Sequence, residues 1–329
     1  MAKKDAIQHP GNKEVEGKEI GKGPAANRQD RFGLSLLDQL SNEGPVHHRL
    51  IQRIEEQTNR NLIAYTSFFE HPMGIIVSHD AQLLEQLLQS IDLNKYRGTL
   101  DLLISSPGGS PTAAEQIVLT CREYCSNFRV IVADVAMSAA TMVAMGADEI
   151  VMLPTAQLGP IDPQMIQRDS RGNVVMRAAK AYIGSYEELV GLAQTAIKNN
   201  EPPQPYLQLL QKTDPPFLQD CLKARSLAEQ IAKDFLIKWM LKDKGEKHVH
   251  KTVQNFLKAG EEASHGRAIR PKKAMEFGLE RISIIEKEAD LWRLIWELQI
   301  RCTDYVQNRR LAKYATARSG GINVQAQKI

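Results

Sequence analysis

At 329 residues, with 43% apolar and 25% charged side chains, the chain has room for one large or two small domains that bury a real core. Its net charge of +3 is too small for the clustered basic face of a nucleic-acid-binding domain. The four cysteines, Cys121, Cys125, Cys221 and Cys302, form neither a CxxC pair nor a dense framework, so a disulfide scaffold is not expected and a reducing, cytoplasmic setting is.

No run approaches the ~18 apolar residues of a membrane span. Residues 1–30 are polar and rich in Gly and Lys, and Lys3 and Lys4 have no apolar segment behind them. That pattern predicts a disordered segment rather than a secretory signal. Leu62 to Thr66 and Gly74 to Val77 read as short buried strands, bounded by Asn61 and by His71-Pro72. Asp80 is placed to cap a helix with Leu83, Leu84, Leu87, Leu88 and Ile91 on its apolar side. Leu100 to Ser105 is a third strand, ended by Pro107-Gly108-Gly109. A helix follows with Ala113, Ala114, Ile117, Val118 and Cys121 on one stripe. Arg129 to Val135 is a fourth strand, Ala139 to Ala147 a short apolar helix, and Glu149 to Leu153 a fifth strand. Strands alternating with helices predict a parallel α/β sheet, with ligands at the C-terminal ends of its strands.

Beyond Pro163 the texture changes. Arg168 to Asn173 reads as a turn, and Val175 to about Leu257 as helix interrupted by Pro202-Pro203 and Pro215-Pro216. Leu279 to Ile285 offers a last strand. A long amphipathic helix is predicted from about Lys287 to Tyr314, followed by a solvated basic tail with Arg318 and Lys328. The expected organisation is a disordered 1–30, an α/β core over 31–165, a mostly helical 166–285 that completes the same domain, and a helix with basic tail over 286–329.

Two turns carry chemistry. In Ser105-Ser106-Pro107-Gly108-Gly109-Ser110, consecutive glycines after a buried strand let bare N–H groups approach a ligand and hold a developing oxyanion. In Ala136-Met137-Ser138-Ala139-Ala140-Thr141, a strand gives way to a helix within three residues, with small neighbours around Ser138. Either motif alone has a plain reading, as a turn or as a helix-capping serine. Together they end adjacent strands at one sheet edge, the arrangement a nucleophile and its oxyanion hole require. The Leu158-Gly159-Pro160-Ile161-Asp162-Pro163-Gln164 loop follows the next strand, where Asp162 either orients a base or braces the loop.

These segments, with Asp101-Leu102-Leu103-Ile104, Ala147-Asp148-Glu149-Ile150-Val151-Met152 and the later His265-Gly266-Arg267-Ala268-Ile269, resemble the serine dehydrogenase proteinase family of the Clp/crotonase superfamily. The resemblance implies an α/β, Clp/crotonase-like spiral of ββα units with a helical C-terminal region. It implies Ser138 as nucleophile, backbone amides at Gly108 and Gly109, with Ala139, as the oxyanion hole, peptide-bond hydrolysis without a cofactor, and a homo-oligomer. Ala140 departs from the family, which has glycine there.

The general base stays open. No histidine occurs between His79 and His248, so the histidine of Clp subunits has no counterpart. Signal peptide peptidases use a lysine, and Lys180, among Ala178, Ala179 and Ala181, is in a suitable place to be desolvated and act as base. His265, in a loop before the last strand, is the competitor. His248 and His250 lack the company of a metal site. The expected activity is a serine peptidase acting on peptide or protein substrates. The alternatives are a non-catalytic scaffold that keeps the fold, or a crotonase-type acyl-CoA enzyme; the second is disfavoured because residues 136–146 contain no carboxylate.

Overall fold

Between Asn61 and Met145 one order of elements occurs three times: a long buried strand, a short extended stretch, and a helix. The structure is a computed structural model and describes residues 46–168, 174–259 and 268–326. Helix α1 (Val46–Thr58) leads in and buries Leu50, Ile51 and Ile54. Strand β1 (Asn61–Ser67) is followed by an extended Ile76 and helix α2 (His79–Ser90). Strand β2 (Thr99–Ser105) is followed by the 106–109 turn and helix α3 (Pro111–Tyr124). Strand β3 (Asn127–Val132) is followed by the two-residue β4 (Val135–Ala136) and helix α4 (Ala139–Met145). A further strand pair, β5 (Glu149–Met152) and β6 (Gln157–Leu158), continues the series.

The long strands β1, β2, β3 and β5 lie side by side in parallel. The short stretches form a second layer of parallel pairings: Ile76 with Gly109, Ser106 with Ala136, and β4 with β6. Two layers advancing together are the spiral of ββα units expected from the sequence. Strand β2 is buried along almost its whole length, as a parallel strand covered on both faces must be. Its one acid, Asp101, is fully buried and held by Arg60 Nε (2.5 Å) and Arg129 Nη2 (2.6 Å), because an unpaired buried charge would be prohibitive.

After the 159–163 loop, β7 (Gln164–Arg168) and β8 (Val174–Ala178) form an antiparallel hairpin. Helices α5 (Ala179–Lys198), α6 (Gln204–Leu210), α7 (Pro215–Phe235), α8 (Glu246–Lys258) and α9 (Pro271–Glu276) follow, then β9 (Ile282–Ile284) beside β5. Helix α10 (Asp290–Asn308) crosses back over α1, and the hairpin β10 (Leu311–Ala317) and β11 (Gly320–Gln325) completes the sheet in the order β11-β10-β1-β2-β3-β5-β9.

Several expectations are corrected. The final helix ends at Asn308, short of Tyr314, and the described residues after it form a hairpin rather than a solvated tail. Arg310 turns at φ 51°, and every residue of β10 is buried, paired antiparallel with β1. Two of the basic residues there have partners remote in sequence: Lys313 Nζ donates to both oxygens of buried Asp80 (2.9 and 2.6 Å), and Arg318 lies 3.5 Å from Glu55; Lys328 lies outside the described residues. Asp80 accordingly does not cap α2. It sits in the first turn, accepting the Val77 N–H (2.8 Å) while neutralising Lys313. Gly74 to Val77 is a 3-10 turn over Pro72–Gly74 and a single bridge at Ile76 rather than a strand. Val175 to Ala178 pairs as strand, not helix, because Gln164–Arg168 is there to receive it.

Residues 1–45, where the disordered segment is expected, lie outside the described residues. The four cysteines are buried, and none forms a disulfide among the described residues. Among the described residues, no helix is long and apolar enough to cross a membrane.

Candidate active site

Two residues after β4 ends, the backbone turns at Ser138 with φ 49° and ψ −114°. A β-carbon makes that region costly, on the order of 1–3 kcal/mol, so the surroundings must over-determine it. They do. Met137 N–H donates to Ser106 O (3.0 Å), Ala140 N–H to Met137 O (2.9 Å) and Met142 N–H to Ser138 O (3.1 Å). Helix α4 is buried at all seven positions, its three alanines leaving room for close packing beside Thr141, Val143 and the two methionines. The buried Thr141 hydroxyl lies 2.8 Å from Ala136 O and 3.0 Å from Gly159 O, and it accepts the Gly159 N–H (3.0 Å). The serine at the centre makes no capping hydrogen bond to α4 and is half-buried, so the plain capping role does not apply.

The glycine turn lies directly against it. A β-carbon at Gly108, where φ is 95°, would come within 2.7 Å of Ser138 Cβ and 3.0 Å of Ala139 N. A β-carbon at Gly109 would meet Ile76 O at 2.3 Å. Gly108 O accepts the Ile76 N–H (2.7 Å), and Ser110 N–H donates to Ile76 O (2.9 Å), which pins the turn. The amides then divide. Gly108 N–H donates to Ser106 Oγ (3.2 Å) and is engaged inside its own turn. The Gly109 and Ala139 N–H groups have no hydrogen-bond partner among the described residues.

The 159–163 loop closes a third side. A β-carbon at Gly159 would sit 3.0 Å from Met137 Cα, so this loop packs on the residue before Ser138. Leu158 exchanges two backbone hydrogen bonds with Ile269 (2.9 and 2.8 Å), and Pro163 O accepts the Ala179 N–H (2.8 Å) at the start of α5. Lys180 comes next in the chain. Partial burial lowers the proton affinity of its amine, and the neighbouring Arg225 and Lys258 act in the same direction, while Asp162 and Glu187 oppose them. Asp162 is buried, which pushes its carboxyl up to about 6 against the pull of Arg225 and Lys180. His265 lies outside the described residues.

A family model described as ClpP-like SDH-type serine proteinase matches residues 45–232. The chain belongs to that family. An uncharacterized protein of Methanocaldococcus jannaschii is 32% identical over 161 residues, which cover 46% of this chain and 54% of that protein. A second uncharacterized protein of the same organism is 41% identical over 83 residues, covering 25% of this chain and 29% of its own length. The chain thus spans about half, or less, of the length of these curated relatives. Among solved structures, a mutant of the 1510-N membrane-bound stomatin-specific protease aligns with a TM-score of 0.33 and 14% identity over 65% of this chain and 76% of that one.

The mixed α/β, ClpP-like fold read from the sequence is therefore the fold of the protein. Of the expected site residues, Gly108, Gly109, Ser138 and Ala139 come together, and Lys180 is tethered to the loop that packs on Met137. Two further residues shape the site without standing out in the sequence. The Ser106 hydroxyl of the Ser-Pro-Gly-Gly motif occupies one amide. Thr141 links α4 to the Gly159 loop, which no local pattern reports.

Proposed function

We propose that this chain is a serine peptidase in which Ser138 is the nucleophile, the Gly109 and Ala139 amides hold the oxyanion, and Lys180 is the general base. The observation that carries the reading is the strained Ser138 backbone beneath Gly108, with two unengaged N–H groups beside it. Such a turn lifts a hydroxyl clear of its helix and faces it toward donors that need no rearrangement.

In acylation, Ser138 Oγ bonds to the carbonyl carbon of the scissile peptide while its proton passes to the neutral amine of Lys180. The carbonyl π electrons move onto oxygen, where the two amides meet the charge; one such donor is worth about 10²–10³ in kcat. Collapse breaks the C–N bond, and the ammonium of Lys180 returns the proton to the departing amine. Water then attacks the ester with Lys180 again as acceptor, and the proton finally restores Ser138. A lysine serves only if it is neutral at working pH, and its partial burial and cationic neighbours favour that form. With Gly108 N–H engaged by Ser106, the hole is assigned to Gly109 and Ala139, and Gly108 acts by its lack of a side chain.

His265 is the competing base, favoured by the return of the chain beside the loop at Ile269. Hydrolysis of a mixed peptide library by the full chain, with Ser138→Ala, Lys180→Ala and His265→Ala alongside, tests the assignment. The expected result is cleavage that is abolished by Ser138→Ala and by Lys180→Ala and persists in His265→Ala. Cleavage that survives Ser138→Ala would refute the reading.

A further inference from the structure

Two consecutive glycines impose no conformation of their own, so hydrogen bonds must hold the 106–109 turn in one shape. Two do. Ile76 N–H donates to Gly108 O (2.7 Å), and in a trans peptide the following N–H points the opposite way, so that of Gly109 is turned away from Ile76. Gly108 N–H donates to Ser106 Oγ (3.2 Å). Pro107, between them, has no N–H to offer. Ser106 is thus the one side chain hydrogen-bonded to residues 107–109 among the described residues. It is fully buried, and its backbone is tied to the segment leading to the nucleophile. Its N–H donates to Val135 O (3.0 Å), and its carbonyl accepts the Met137 N–H (3.0 Å). One residue therefore holds both the turn that carries the Gly109 amide and the residue before Ser138.

We propose that Ser106 is a positioning residue for acylation: its hydroxyl fixes the Gly108 amide and so keeps the Gly109 N–H aimed where the oxyanion forms. The proposal rests on the peptidase reading given above and adds to it the device that keeps the oxyanion hole in shape. Gly108 is buried, and Ser106 Oγ is the partner of its N–H. A buried donor that loses its partner is costly, so the turn would rearrange to find another. At Gly108, with φ at 95° and no side chain, little in the backbone itself resists that rotation. A rotated turn withdraws the Gly109 N–H while leaving Ser138 and Lys180 where they are. The loss then falls on the transition state, where charge develops on oxygen, and not on binding of the ground state.

The test separates the binding of a fluorophosphonate (KI) from its maximal rate of reaction with Ser138 (kinact), in the full chain. In that step the bond from Ser138 Oγ to phosphorus forms and the P–F bond breaks, releasing fluoride. The serine proton passes to Lys180, and the charge building on the phosphoryl oxygen falls in the hole. Ser106→Ala should lower kinact at least about tenfold, a part of the 10²–10³ that one donor is worth, with KI within about twofold. Its pH profile should be scaled down evenly, since the base is untouched. Ser106→Cys, close in shape but a weak acceptor, should fall between Ser106→Ala and the unaltered protein. A role confined to stability would instead reduce the fraction of chains labelled and leave kinact unchanged. That result, a loss lying wholly in KI, or a shifted pH inflection would overturn the proposal while leaving Ser138 and Lys180 standing. Should Ser106→Ala not fold, an unchanged kinact in Ser106→Cys would overturn it alone. Absence of Ser138 labelling in the unaltered protein would remove the peptidase reading itself, and the proposal with it.

Discussion

Gly108 and Ser138 touch so closely that there is no room for a side chain between them: a β-carbon at 108 would lie 2.7 Å from Ser138 Cβ. The same residue holds φ at 95°, where an L side chain is strained whatever the space. Gly108→Ala should therefore displace Ser138 from its turn and lower acylation by at least ~10²-fold, a loss read directly as fluorophosphonate labelling rate. The fold should survive, since the turn is at the edge of the sheet, and circular dichroism would show it.

Ala140, where the resemblance implies glycine, is fully buried in α4. Restoring glycine should not raise activity. Ala140→Gly should instead cost about 1 kcal/mol of stability from helix entropy and lost packing, visible as a lower urea midpoint at unchanged labelling rate.

Lys313 and Asp80 form an ion pair whose side chains are 3% and 1% exposed. Removing one member strands the other in the core. Lys313→Met should destabilise the protein by about 3–5 kcal/mol. Adding Asp80→Asn should recover part of that, which denaturation of the single and double variants would measure.

His47 is buried against the rings of Tyr305 and Tyr314, at 5.4 and 5.5 Å. Burial above all lowers its pKa from 6.5 to about 4, so the folded protein holds it neutral. Its contribution is complete above pH 6.5 and is withdrawn as pH falls from there toward 4, where the unfolded chain takes up a proton that the folded one refuses. Between pH 7 and pH 5 this one group should cost about 2 kcal/mol of stability, and His47→Phe should flatten that part of the pH dependence.

The sheet from Leu62 to Leu153 and the two turns of the candidate site were legible in the sequence, because parallel strands buried on both faces read as short apolar runs ended by glycine or by small residues. The C-terminal hairpin was hidden by Lys313, whose charge is answered by an aspartate on another element; no local pattern reports a partner that distant. Asp80 reads as a helix cap for the same reason, its partner Lys313 being far along the chain. The hairpin of β7 and β8 was missed because its two strands differ in texture, polar Gln164–Arg168 against the more apolar Val174–Ala178, so that the second merged with the following helix. At the site, spacing brought Ser138 and the glycines together, but which amide stays open depends on the Ser106 hydroxyl, a matter of ångströms and not of pattern.

The most direct measurement is mass spectrometry of the purified protein after treatment with a fluorophosphonate. The account predicts one adduct per chain, on the peptide containing Ser138, and none in Ser138→Ala. Labelling elsewhere, or an unmodified Ser138 in the folded protein, would contradict it.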